Sequence, residues 1–129
     1  MLMMSNIPVN AAPEGLAPCP LTPNCVSSQA SDTGHFIAPI SYTGPADQAM
    51  QRMQQVLAQL ERSTLVGHTA TYLHFEVRSM LFRFVDDIEC LLDPAAGVIH
   101  IRSASRVGLS DLGVNRRRVE HIREAFGKT

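Results

Sequence analysis

No apolar run in this 129-residue chain approaches the ~18 residues that a membrane-spanning helix needs, so no membrane span is expected. Charge of one sign is also missing. The formal net charge is −1, too small to set up the global basic field that draws nucleic acid or an anionic membrane surface. Cysteine is scarce, three residues in all, too few and odd in number for a secreted disulfide framework. The apolar start, Met1-Leu2-Met3-Met4, lacks a basic flank and an apolar region of about 7–15 residues, so it is not a secretory signal, and a cytoplasmic protein is expected. The chain contains no HExxH metal signature and no G-x-S-x-G elbow. Its Gly108-Leu-Ser-Asp-Leu-Gly113 run lacks the glycine and lysine pattern of a Walker or dinucleotide loop. No metal and no cofactor are therefore expected.

What is there is ordinary globular composition, 45% hydrophobic and 18% charged, in a length that suits one domain with a real core. Prolines at 8, 13, 18, 20 and 23 fix φ and remove backbone donors, so residues 1–18 read as a flexible arm and residues 19–129 as a single α+β domain. His35 to Tyr42 is a candidate strand that Pro39 demotes to an edge or a bulge. Thr43-Gly44-Pro45 opens a helix in which Ala46, Ala49, Met50, Met53, Val56, Leu57 and Leu60 recur at the 3.6 period.

Strands follow. Between Thr69 and Arg78, Leu73, Phe75 and Val77 alternate with Tyr72, His74 and Glu76, the pattern of a half-buried strand. From Leu81 to Leu92, Phe82, Phe84, Ile88, Cys90 and Leu92 share a face. Asp86 falls in that same register, so the strand either bulges there or buries a carboxylate. Asp93-Pro94-Ala95-Ala96-Gly97 is turn chemistry, and Val98 to Ser103 completes a hairpin with Ile99 and Ile101 inward. A loop from Ala104 to Val114 leads to a helix over about 115–126 striped by Val119, Ile122 and Phe126. The order β-α-β-β-β-α predicts a mostly antiparallel four-stranded sheet with two helices packed on one face.

Charge is unevenly spread. From His100 onward there are seven Arg/Lys against three Asp/Glu, while Asp86, Asp87, Glu89 and Asp93 cluster upstream. The segment Arg102 to Arg118 leaves a strand, passes two glycines and enters a helix, a geometry that can present N–H groups to an anion. Arg116, Arg117 and Arg118 sit in the first helical turn, where cations oppose the macrodipole at ~0.3–1 kcal/mol each when exposed. A compensating anion is implied, internal or bound, with Asp86, Asp87 and Asp111 as internal candidates. The expected network comprises Asp86, Asp87, Arg102, Ser103, Ser105, Arg106, Asp111, Asn115 and Arg118, with Arg106 or Arg118 as the partner of Asp86. Asp87 and Glu89 share a face with His74 or His100, which is either a solvated row of cross-strand pairs to Arg78, Arg83 or Arg102, or a divalent-metal arrangement without a supporting signature.

Cys19 and Cys25, in the arm, can close a short disulfide loop, act as a redox pair or serve as ordered structural residues. Cys90 reads as a small core residue. Serines 27, 28, 103, 105 and 110 raise a nucleophile reading, although Ser110 before Asp111 suits helix capping. His35, His68 and His121 read as surface or turn residues.

The stretches Cys19-Pro…Pro23-Asn-Cys-Val-Ser-Ser28, Phe84-Val-Asp-Asp-Ile-Glu89 and Ile101 to Glu120 resemble the hallmark blocks of a bacterial and plastid family, domain of unknown function 1499. The resemblance runs from about Cys19 to Phe126. It implies a shared fold and marker residues without an established reaction, and membership of a family in which an N-terminal export signal or membrane segment is common. The functional expectation is a non-catalytic binding or structural module. In it the Arg/Ser-rich strand-loop-helix segment forms an ion-pair clamp and meets a small anionic ligand or a protein partner, not nucleic acid. The competing expectations are an enzyme using Asp86 or Asp87 with Arg102 or Arg106 in a cleft between sheet and loop, and a thiol-redox role for Cys19 and Cys25.

Overall fold

A computed structural model of the chain describes residues 14–80, 84–108 and 111–129. Eight elements follow in order: β1 (Cys25–Ser27), β2 (Ile40–Ser41), α1 (Ala46–Ala58), β3 (Ser63–His68), β4 (Tyr72–Arg78), β5 (Val85–Asp93), β6 (Val98–Ser105) and α2 (Val114–Gly127). The fold is α+β, with one antiparallel sheet in the order β1-β6-β5-β4-β3 and β2 pairing with β6 beside β1.

The sheet has six strands, not the four expected, and both additions are weak in sequence. β3 reads Ser-Thr-Leu-Val-Gly-His, with no apolar alternation and a register shift between Leu65 and Gly67. It pairs on one side only, so hydrogen bonding to β4 defines it rather than a buried face. β1 is three residues long and follows a run of prolines. Its pairing with Arg102–Ala104 of β6 makes it a strand. The expected strand over 35–42 contracts to β2 and an isolated bridge between Phe36 and Ser27, because Pro39 cannot donate to a ladder.

Strand alternation divides the sheet into two unlike faces. Leu73, Phe75 and Val77 stand beside Ile88 and Cys90, then Ile99 and Ile101, by the cross-strand register. These side chains join Ala49, Met50, Met53, Val56 and Leu57 of α1 and Val119, Ile122 and Phe126 of α2 in one core. The opposite face carries Tyr72, His74, Glu76, Asp87, Glu89, His100 and Arg102, and no helix of the described residues covers it. Cys90 is fully buried, and desolvation pushes its thiol up, as suits a core residue.

The β5 ladder runs without a register shift through Asp86, pairing it with Val77 on one side and Ser105 on the other. The strand therefore does not bulge. It turns a carboxylate toward the helices. Phe82 and Arg83, which the sequence places at the start of this strand, lie outside the described residues, as does Ser110. Of the expected arm, residues 1–13 also lie outside them, whereas the Leu16 amide is tied by a hydrogen bond to Gln29 Oε1 at 2.8 Å. Among the described residues no helix is long and apolar enough to cross a membrane.

Ile88 touches the core from the middle of the sheet at 0% exposure. Ile88→Ala is expected to cost ~2–5 kcal/mol by urea unfolding, whereas exposed Gln51→Ala on α1 changes stability by no more than about 0.5 kcal/mol.

Candidate functional site

The Arg102–Arg118 segment feeds both faces of the sheet, because successive residues of β6 point opposite ways. Ser103 and Ser105 turn toward α2 with Asp86, while Arg102 points to the uncovered face. Asp86 and Asp87, adjacent in sequence, separate in the same manner.

On the helix side, Arg118 Nη1 lies 2.8 Å from Asp86 Oδ2, the two side chains being 16% and 13% exposed. The same nitrogen donates to Asn115 Oδ1 at 2.7 Å and to Ser103 Oγ at 3.3 Å. Ser103 in turn donates to Asn115 Oδ1 at 2.6 Å. Asn115, fully buried, uses its amide nitrogen on Ser105 Oγ (2.9 Å), Asp111 Oδ2 (2.7 Å) and the Asn24 carbonyl (3.2 Å). Asn24 closes the circuit by donating to the carbonyls of Ser105 and Gly108. A buried charge is tolerable only when paired and hydrogen-bonded, and this ring of partners meets both conditions.

The start of α2 obeys the same logic. Gly113 takes φ +81°, and a Cβ there would come within 2.9 Å of Arg117 Nη1, so glycine suits the position twice over. Asp111 accepts from the backbone N–H of Gly113 (2.8 Å) and of Asn115 (3.2 Å), supplying the negative end that the helix start requires. Burial works against its ionised form, but the Asn115 amide and these backbone donors outweigh it and hold the carboxyl below the usual range.

The three arginines of that turn part company. Among the described residues, Arg118 alone of the three meets a carboxylate. Arg116 donates to the carbonyls of Phe36 (2.9 Å) and Gly34 (3.3 Å), and Arg117 donates to that of Leu112 (2.9 Å). Further along α2, Arg123 binds the carbonyls of Pro39 and Ala38 at 2.8 and 2.7 Å. The irregular segment 34–39 leaves backbone acceptors outside a ladder, and arginine side chains of α2 meet them.

On the uncovered face, Arg106 donates to both oxygens of Asp87, at 2.7 and 2.8 Å, and to Glu76 Oε2 at 2.6 Å. His74 Nε2 lies 2.8 Å from Asp87 Oδ1. The Arg106 guanidinium, followed by His74, holds the Asp87 carboxyl below its ordinary range against a desolvation that opposes it. Arg102 reaches Glu89 at 3.5 Å, and the Tyr72 hydroxyl donates to the other Glu89 oxygen. Burial, then that carboxylate, pushes the Tyr72 phenol up. The four residues Asp86, Asp87, Arg102 and Arg106 thus do not converge: Asp87 and Arg106 pair on one face, Arg102 belongs to Glu89, and Asp86 lies across the sheet.

Several participants carry no signal in a single sequence. Ser28 Oγ accepts the Ile101 N–H at 2.9 Å and lies 3.0 Å from His100 Nδ1, whose Nε2 is 3.3 Å from Asp93 Oδ2. Read as a relay this is Ser-His-Asp, but Ser28 is only 7% exposed, and its oxygen already accepts the Ile101 N–H. His35, expected as a surface or turn residue, lies in a turn and places Nε2 3.0 Å from the Thr22 carbonyl and Nδ1 2.7 Å from Asp32 Oδ2. Two acceptors require an imidazolium, and the Thr22 carbonyl, then Asp32, raises the His35 pKa. Cys19 and Cys25 are joined in a disulfide across a Cα separation of 5.7 Å.

The chain belongs to a protein family of unknown function, DUF1499, whose model matches residues 15–126. The match spans both cysteines of the disulfide and every residue of the Asp86–Asn115–Arg118 network. No curated protein matches the chain.

Arg118→Met leaves the largely covered Asp86 without its cation and is expected to cost about 3 kcal/mol, while the Asp86→Leu/Arg118→Met pair recovers most of that loss. Urea unfolding of the three proteins measures both. Because the folded Asp87 and Asp111 pKa values lie below the unfolded value of ~3.9, their contribution is present above that pH and lost as pH falls through the folded values. His35 has the opposite sign. The advantage of the wild type over His35→Gln is full below about pH 6.5 and shrinks as pH rises through the raised folded pKa, as urea unfolding at a series of pH values would show.

Proposed function

We propose that the chain is a non-catalytic binding or structural module. In this reading the Arg102–Arg118 segment clamps β5 and β6 to α2 and offers the start of α2 to a small anion or to an acidic group of a partner protein. The observation that carries the reading is the division of labour among the three arginines of the first turn. Arg118 is consumed by Asp86, whereas among the described residues Arg116 and Arg117 meet carbonyls and no carboxylate. Each retains N–H donors beyond those it uses, a guanidinium having five. Both are exposed and stand where a helix end already favours negative charge. A recess of about 180 Å³ beside Arg116, walled by Pro23, Gly34, Asp111 and Gly113 among others, suits a group the size of a carboxylate or phosphate. Asp111 is a wall of that recess, so the anion is held from the Arg116 side.

An enzyme built on Asp86 or Asp87 with Arg102 or Arg106 is less well supported, because Asp86 lies across the sheet from the other three, and Asp87, Arg106 and Arg102 are each engaged in an ion pair.

Inorganic phosphate and malonate are expected to raise the thermal midpoint by ~2–5 °C at concentrations well above Kd. The Arg116→Ala/Arg117→Ala pair should abolish the shift while leaving the unliganded midpoint within about 2 °C, since exposed changes cost little. No shift from either anion would remove the small-anion half of the reading.

A further inference from the structure

The uncovered sheet face is not bare at the β6 edge. Residues 16–19 cross it, and three ties hold them there. The Arg102 guanidinium donates from Nη2 to the Pro18 carbonyl at 3.3 Å. The Leu16 amide is bonded to Gln29 Oε1. The third tie is the Cys19–Cys25 disulfide, anchored on β1. Both hydrogen bonds lie at the surface, where water competes for their donors and acceptors. Behind the segment is a cavity of about 420 Å³ bordered by Leu16, Pro18, Cys19, Ser27, Gln29 and Asp32, so little side-chain packing supports it. Arg102 below is only 13% exposed, and its Nε has no partner among the described residues. A buried donor without an acceptor costs free energy while the segment covers it, and water satisfies it once the segment lifts, so this site favours opening.

We propose that residues 16–19 form a strap over Arg102 that the Cys19–Cys25 disulfide keeps shut and that a dithiol reductant opens. Cys19 is the more accessible half of the bond, Cys25 being 2% exposed. A thiolate of the reductant attacks Cys19 Sγ, the Cys19–Cys25 bond breaks, and its electron pair leaves on Cys25 Sγ, which takes a proton. The second thiol of the reductant then attacks its own sulfur in the mixed disulfide, releasing Cys19 as a thiol and the reductant as its disulfide. Two electrons and two protons pass from the reductant to the chain. The strap then keeps only its two surface hydrogen bonds, lifts, and leaves the Arg102 guanidinium to solvent beside Glu89 and Tyr72. The latch is closed where the surroundings are oxidising and opens where dithiols keep cysteines reduced. Cys25 also borders the recess beside Arg116, but the latch is read at Leu16 and Arg102 and stands or falls independently of the binding reading.

Hydrogen exchange on the full chain tests the latch, read by NMR at the Leu16 amide and the Arg102 Nε–H. Oxidised wild type is compared with wild type in dithiothreitol and with Cys19→Ser. Protection at both sites is expected to fall at least tenfold in the reduced chain and in Cys19→Ser, while the amides of Ile88 and Ile101 keep theirs. If Leu16 and Arg102 stay protected after reduction, noncovalent contacts hold the strap and the latch is wrong. If the core amides lose protection together with the strap, the disulfide supports the whole fold, and the latch is equally overturned.

Discussion

A carboxylate near the start of a central strand, facing the helices, is the constraint around which this molecule is arranged. Asp86 occupies a position of β5 that Ile88 and Cys90 extend as core. A charge there is expensive unless it is neutralised by a cation and its remaining lone pairs are occupied. Arg118 supplies the cation, but only if α2 begins where it does. That start is set by Gly113, which permits the turn, and by Asp111, which accepts the exposed N–H groups. Asn115 then ties Ser103, Ser105, Asp111 and Asn24 into the same ring. One partly buried ion pair thereby couples β5, β6 and the residue before β1 to the start of a helix.

The rest of the charge is spent near the surface and does different work. Arg106 joins Asp87 and Glu76 across β4, β5 and the end of β6. Arg116 and Arg123 satisfy carbonyls of the 34–39 segment. Arginine suits this task because its planar fork presents several donors to acceptors that a ladder does not reach. A chain so rich in arginine and near zero in net charge is therefore largely stitching itself together.

The helices and central strands were legible because packing and sequence agree there. The stripe Ala49–Leu57 and the alternation Leu73-Phe75-Val77 are burial patterns before they are structural ones, and the core contains all of them. β1 and β3 were not legible, since each is a strand through hydrogen bonds to a neighbour rather than through a buried face of its own. The same distinction runs through the site. The need of Asp86 for a cation follows from its register alone, and Arg118 was one of two candidates. That Arg102 would belong to Glu89, and that Ser28, His100 and Asp93 would line up, depends on which strands lie side by side.

The sequence by itself determined the α+β class, the two helices and the hydrophobic face of the central strands, and it narrowed Asp86 to a bulge or a core-facing carboxylate that needs a cation. These follow from periodicity and from the energetics of burial, which act over a few residues. Tertiary structure alone decided that the sheet has six strands, that Asp86 and Asp87 serve opposite faces, that Cys19 and Cys25 are joined, and that His35 is held between two acceptors. Each of these is a meeting of residues whose distance in space is set by the pairing of whole strands. No local pattern of side chains carries that information.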